Sequence, residues 1–318
     1  MSTTEEILSM DLQNYPLVSV ITPTFNRADF LEETMLSILS QNYPNIEYIV
    51  LDDGSTDNTP QILSKYSNQI VWETHTNIGE TGTVNKGYRM AKGKYIGIVN
   101  SDDLLMPGAI QAVVEEFSAN PDLLVVYPGW IYIDENSIQL SEEFVPEYDY
   151  TDVVRKHWCV VGPGAFINRR ALTLTHLRDE EIKYVADFEY WLRLGLFGPF
   201  KRAKGTYGTF RIHQSSTSVI MKNKAMALEH VRIMKKYFSL PNVPNYLKEG
   251  WIFREAWGRT YLHTARTCQK LSIEALYYYS KSVFIYPPII INVVNDFVSN
   301  LMSLLRNLKL ILQRKLKN

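Results

Sequence analysis

Two short apolar runs, each ending abruptly in carboxylates, constrain this chain more than any other feature. Tyr48-Ile49-Val50-Leu51 leads into Asp52-Asp53-Gly54-Ser55, and Tyr95-Ile96-Gly97-Ile98-Val99 leads into Asn100-Ser101-Asp102-Asp103. A brief apolar run bounded by turn residues reads as a buried strand. Acidic pairs at the C-terminal ends of such strands lie where open α/β sheets bind ligands. Carboxylates gathered at one edge repel one another, and a divalent cation bridging to an anionic substrate relieves that repulsion. The pattern predicts a metal and a phosphorylated ligand at the edge of a parallel sheet.

The order of elements supports such a sheet. Strands expected over Leu17–Thr22, Glu47–Leu51, Ile70–Glu73 and Tyr95–Val99 alternate with helices over Asp29–Ser40, Thr59–Tyr66, Thr83–Ala91 and Pro107–Ser118. The last helix is read as opening on a proline in its first turn. This alternation implies an α/β fold with a central, mostly parallel sheet covered by helices. Leu123–Ile133 and Thr206–Ile212 are then β-rich, and Phe188–Phe197 has helical spacing. Beyond about Ser218 only helices are expected, over Asn223–Tyr237, Tyr246–Gln269, Ile273–Phe284 and Val293–Leu316. The chain thus divides into an arm (1–16), an α/β domain (17–217) and a helical C-terminal region (218–318).

Charge and cysteines narrow the function classes. A formal net charge of −1 excludes bulk electrostatic binding of nucleic acid. Cys159 and Cys268 stand far apart, so neither a disulfide framework nor a zinc site is expected, and a reducing, cytoplasmic setting fits. Residues 1–14 lack the basic and apolar regions of a signal peptide. Pro287-Pro288, Asn292, Asn295 and Asp296 interrupt the apolar stretches near the C-terminus, so a soluble or peripheral protein is expected. In the last segment Val294, Phe297, Val298, Leu301, Leu305, Leu308 and Leu312 fall on one face. Arg306, Lys309, Arg314, Lys315 and Lys317 follow, with no acidic residue after Asp296. That basic amphipathic tail suits peripheral contact with an anionic membrane on its inner face; packing on protein is the competing reading.

Five motifs occur in register: Val18-Ser19-Val20-Ile21-Thr22-Pro23-Thr24-Phe25-Asn26-Arg27, Ser37-Ile38-Leu39-Ser40-Gln41, Asp52-Asp53-Gly54-Ser55-Thr56-Asp57, Ala91-Lys92-Gly93-Lys94-Tyr95 and Asn100-Ser101-Asp102-Asp103. From about Leu17 to Thr217 the chain resembles the family 2 glycosyltransferases. The resemblance implies the GT-A fold, a nucleotide-diphosphate sugar donor (most often a UDP-sugar), Mn²⁺ or Mg²⁺, and inversion at the anomeric carbon. It makes 17–104 the nucleotide-binding half and 105–217 the acceptor half.

Individual roles carry over on matching positions. The resemblance makes Asp103 the metal ligand, and Asp102 a neighbour of the ribose or of the metal's waters. Many relatives have Asp-x-Asp where this chain has Ser101-Asp102-Asp103. Asp53 matches the residue that binds the base, with Thr22, Pro23, Thr24 and Phe25 lining the end of the first strand. Asn85 is a nucleotide-side contact by the same resemblance, but Val84 stands where many relatives place an arginine. His213 matches a histidine that can join the metal. Asp187 matches the general base, with Glu189 its nearest rival, and Trp158 falls where the family builds its acceptor pocket.

Each assignment has a purely structural competitor: Asp102 and Asp103 capping a turn, Asp187 an N-cap, Asn85 a packing residue, His213 a structural histidine and Trp158 a core aromatic. The expected function is an inverting sugar transferase of polysaccharide biosynthesis. Its acceptor would be a saccharide or a lipid-linked sugar. A catalytically silent, transferase-like binding protein is the alternative from another class. A sugar-1-phosphate nucleotidyltransferase would need a Gly-rich basic loop after the first strand, and Thr22-Pro23-Thr24-Phe25-Asn26 supplies none.

Overall fold

The computed structural model describes residues 15–216, 224–268 and 272–315. In chain order the first elements are β1 (Val18–Thr24), α1 (Ala28–Leu39), β2 (Ile46–Asp52), α2 (Thr59–Lys65), β3 (Val71–Thr74), α3 (Glu80–Met90), β4 (Tyr95–Ile98) and α4 (Ala109–Ala119). They are followed by β5 (Val125–Ile133), β6 (Gln139–Glu142), α5 (Tyr150–Lys156), β7 (Phe166–Asn168), α6 (Ala171–Leu174), α7 (Ala186–Leu194) and β8 (Phe200–Arg211). The C-terminal helices are α8 (Lys224–Ser239), α9 (Asn245–Lys248), α10 (Gly250–Thr267), α11 (Ile273–Ile285) and α12 (Ile290–Lys315), the last preceded by a 3₁₀ turn over Pro287–Ile289.

Eight strands form one sheet in the order β3-β2-β1-β4-β7-β5-β6, with β8 paired to β5. β1 is parallel to both β2 and β4, and β2 is parallel to β3. β7 then runs antiparallel between β4 and β5. Every residue of β1 is buried, as expected of a central strand covered on both faces. Leu31, Met35 and Ile38 of α1 pack with Val18, Val20 and Val50 on one side of the sheet. Pairing of Thr24 with Asp52 brings the ends of β1 and β2 level, so the residues that follow each strand share one edge.

The chain separates into two compact units. One runs from Tyr15 to Tyr150 and resumes from Cys159 to Ser216; the other joins Thr151–Trp158 to the helices from Lys224 onward. The second unit has its own core, in which Ala227, Leu262, Ala265, Tyr279 and Val293 are buried together.

Three local expectations change. Pro107 precedes its helix instead of opening it, because Gly108 intervenes with φ +82°, a conformation that costs glycine little. The single helix expected over Tyr246–Gln269 is two, since Glu249 is extended between α9 and α10. β8 is longer than the apolar pattern implied, because its first half pairs with β5 from Val125 onward.

Candidate active site

The ends of β1, β2 and β4, the start of α3, the start of α7 and the end of β8 enclose one cleft of ≈ 400 Å³. That volume is in the range that accommodates a small-molecule ligand. Pro23, Thr24, Phe25, Asp53, Asp102, Asp103 and Asp187 all line it. Thr22 does not; its side chain is buried, with Oγ1 3.1 Å from the Tyr48 hydroxyl.

Asp52 and Asp53 leave β2 in different directions. Asp52 is buried and accepts from the Ser55 amide and the Thr74 hydroxyl, both at 3.0 Å, which fixes the turn after the strand. Asp53 accepts from the backbone amides of Ile78 at 2.7 Å and Gly79 at 3.0 Å. Gly79 has φ +82°, so a glycine suits the turn that presents its amide to Asp53. One carboxylate thereby pins the loop that leads into α3, while still facing the cleft.

Asp102 and Asp103 differ more sharply. Asp103 is buried; one oxygen accepts from the Arg211 amide at 2.8 Å and the other from the Asn100 side chain at 3.1 Å. Burial, followed by the charge of Asp102, pushes its carboxyl up to about 8. Asp102 is more accessible, with Oδ2 3.1 Å from His213 Nε2 and 3.4 Å from Arg27 Nε. His213 Nδ1 lies 2.8 Å from the Ser215 hydroxyl and accepts from the Ser215 amide at 3.3 Å. That pattern favours the tautomer with the proton on Nε2, donated to Asp102. To join a metal, His213 must give up this bond.

Among the described residues, no three His, Cys, Asp or Glu side chains form a group that could hold a metal ion by themselves. Asp102 and Asp103 instead fit a cation that takes one or two carboxylates from the protein and its remaining oxygens from a bound phosphate. Burial first, and then the neighbouring charge of Asp102, raise the Asp103 carboxyl, and a cation there would supply the counter-charge that both effects leave wanting.

Asp187 lies in the first turn of α7 and lines the cleft in an exposed position. Its Oδ1 accepts from the next amide, Phe188, at 2.7 Å, while the N-cap itself is Val185. Glu189, two residues on, is buried and held in a two-pronged pair with Arg193, at 2.7 and 2.9 Å, and does not line the cleft.

Asn85 does not line the cleft. Its carboxamide pairs with both backbone groups of Arg178, donating to the carbonyl at 2.9 Å and accepting from the amide at 3.0 Å. It also donates to Glu180 at 2.9 Å. The effect is to fix Arg178, a cleft-lining residue that the sequence pattern does not single out. Arg178 is 8% exposed, and its Nε is buried without a hydrogen-bond partner. Tyr88, Asp187, Glu80 and Tyr190 offset the effect of burial and hold its guanidinium above the usual range. Glu80, the first residue of α3, has its carboxyl raised by lost hydration in the cleft; Arg178 opposes this, and Asp187 and Asp102 add to it. Trp158 falls in the second unit and is absent from the cleft.

Residues 19–175 match Glycosyl transferase family 2. The chain belongs to that family. It is 29% identical over 246 residues to chondroitin synthase of Escherichia coli, a match covering 76% of this chain and 35% of that protein. The chain therefore spans about a third of that relative's length. The fold is GT-A. S. aureus TarS 1-349, solved in complex with UDP-GlcNAc, superimposes with a TM-score of 0.56 at 19% identity, covering 85% of this chain and 89% of TarS. The mannosyltransferase PcManGT from Pyrobaculum calidifontis, in complex with GDP-Man and Mn²⁺, gives 0.55 at 16% identity, covering 90% and 81%.

Arg178 and Glu80 carried no motif. Arg178 lies in the irregular stretch before α7, and only the Asn85 bracket reveals where it is held. Glu80 gave a weak signal as an acidic residue beside the Gly79 turn.

Proposed function

We propose that this family 2 glycosyltransferase transfers a sugar from a nucleotide-diphosphate donor, with inversion, to a hydroxyl of a saccharide or lipid-linked acceptor. The observation that carries the reading is the meeting of two carboxylate groups from separate elements in one cleft. Asp102 and Asp103 come from the end of β4, and Asp187 comes from the start of α7.

In this scheme the acceptor oxygen attacks the anomeric carbon as the bond from that carbon to the donor phosphate breaks. Asp187 takes the hydroxyl proton, and the nucleoside diphosphate leaves with the bonding electrons. Asp102 and Asp103 would hold Mn²⁺ or Mg²⁺, which when bound supplies positive charge to the diphosphate. Asp53, Pro23, Thr24 and Phe25 form the wall for the base and ribose. Arg178, which lines the cleft, would offer its guanidinium charge to the bound substrate, and Asn85 positions it.

A thermal-shift panel of UDP-, GDP- and dTDP-sugars, each with and without Mn²⁺, tests the reading. A ligand bound by the native state alone raises the melting temperature with its concentration over Kd. The expected result is a metal-dependent rise for one nucleotide class, with a UDP-sugar favoured. No rise for any of them at millimolar concentration would contradict a sugar-nucleotide site.

A further inference from the structure

Helix α12 carries two apolar faces where packing on its own unit uses one. Ile289 and Val293 are buried with Ala227, Leu262, Ala265 and Tyr279, and Phe297 packs against the same cluster. Asp296 fastens this side through Arg266, at 2.7 and 3.0 Å, and through the Tyr279 hydroxyl at 3.3 Å. At 3.6 residues per turn, a second stripe is centred roughly 120° around the helix from Val293. It contains Ile291, Val294, Val298, Leu301, Met302 and Leu305, each 49–68% exposed. Phe297, which the sequence pattern put on the same face as Val294 and Val298, points instead to the packed side; Leu308 and Leu312 fall outside the residues whose side chains are described.

We propose that this second face docks on an anionic lipid surface, with α12 lying in the plane of the interface. Charge selects this occupant over a second copy of the chain. Beyond Asp296 the sequence contains Arg306, Lys309, Arg314, Lys315 and Lys317 and no acidic residue. Pairing two such helices brings like charges together, whereas anionic headgroups supply counter-charge. The apolar stripe then enters the boundary between headgroups and acyl chains, as amphipathic interfacial helices do. Among the described residues no helix is long and apolar enough to cross a membrane, so α12 is read as lying on the surface and not spanning it.

The test is co-sedimentation of the full chain with phosphatidylcholine vesicles, alone or containing about one-third phosphatidylglycerol, at 0.1 and 0.5 M salt. A Leu301→Asp/Leu305→Asp variant is run in parallel. Both positions are exposed, so its melting temperature should match the parent's. The parent should pellet with the anionic vesicles and not with the neutral ones, losing about tenfold of its binding at high salt as screening shortens. The double variant should lose a similar factor or more. Absent pelleting, equal pelleting on neutral vesicles or insensitivity to salt would each overturn the proposal, using the parent protein alone. Parent-like pelleting by a folded double variant would do so as well. A vesicle-free dimer that the double variant dissociates would assign the face to a protein contact instead.

Discussion

Asp187 and Glu189 sit two residues apart at the start of α7 and meet opposite environments. Asp187 faces the cleft, whereas Glu189 is closed over by Arg193, which also donates to the carbonyls of His176 and Leu177. Glu189→Gln should therefore cost about 3 kcal/mol, the scale for stripping one partner from a buried pair, while sugar-nucleotide affinity is kept. Urea denaturation with a parallel binding titration checks this; unchanged stability would mean that the pair is not holding α7. Arg178→Ala should lower transfer by roughly tenfold or more through loss of a charge-assisted hydrogen bond, measured as kcat/KM, with the Asn85 backbone bracket preserved. Parent-like kcat/KM would remove the guanidinium from substrate contact. The carboxylates were legible as residues because each pair ends an apolar run, at the strand edge where open α/β sheets bind ligands. Arg178 was not, because its position depends on an amide pair between residues 93 apart in sequence.

At the scale of elements, the second unit contains three clustered histidines on two helices and the adjoining segment. His157 Nε2 lies 3.0 Å from His230 Nδ1, the His230 and His263 ring centres are 4.2 Å apart, and the Thr260 hydroxyl is 3.2 Å from His157 Nδ1. Burial, reinforced by the neighbouring imidazoles, holds His157 well below the usual range and His230 down to about 3. Both stay neutral in the folded state at pH values where the unfolded chain binds protons, below about 6.5. Stability is thus fully present above about 6.5 and is lost as pH falls toward the folded values. The loss at pH 5.5 should be about 1 kcal/mol for each histidine, read from melting curves at pH 7.5 and 5.5. His230→Gln should flatten the dependence; an equal acid loss in that variant would contradict it. Elements were legible to the degree that their faces were apolar. β1, β2 and β4 were found because they are buried on both sides, whereas β6, exposed at all of its positions, offers no apolar run. The three-residue β7 was missed because its order comes from being wedged between β4 and β5.

For the whole molecule, the proposed reaction divides one cleft into a donor end built on Asp103 and an acceptor end built on Asp187. The fold class was readable from the alternation of strands and helices. The closure of the cleft was not, because Arg211 at the end of β8 reaches Asp103 across 108 positions of sequence. Two isosteric variants separate the ends. Asp103→Asn keeps shape but removes the charge that draws a cation; Asp187→Asn keeps its hydrogen bond to the Phe188 amide but cannot accept a proton. The deciding measurement is a calorimetric titration of UDP with Mn²⁺ against the parent and both variants, paired with a sugar-transfer assay on the same preparations. Asp103→Asn should lose metal-dependent binding. Asp187→Asn should bind like the parent and lose transfer by roughly 100-fold or more, the scale for a missing general base. Parent-like turnover in Asp187→Asn, or parent-like binding in Asp103→Asn where the parent itself binds, would contradict the proposed reaction.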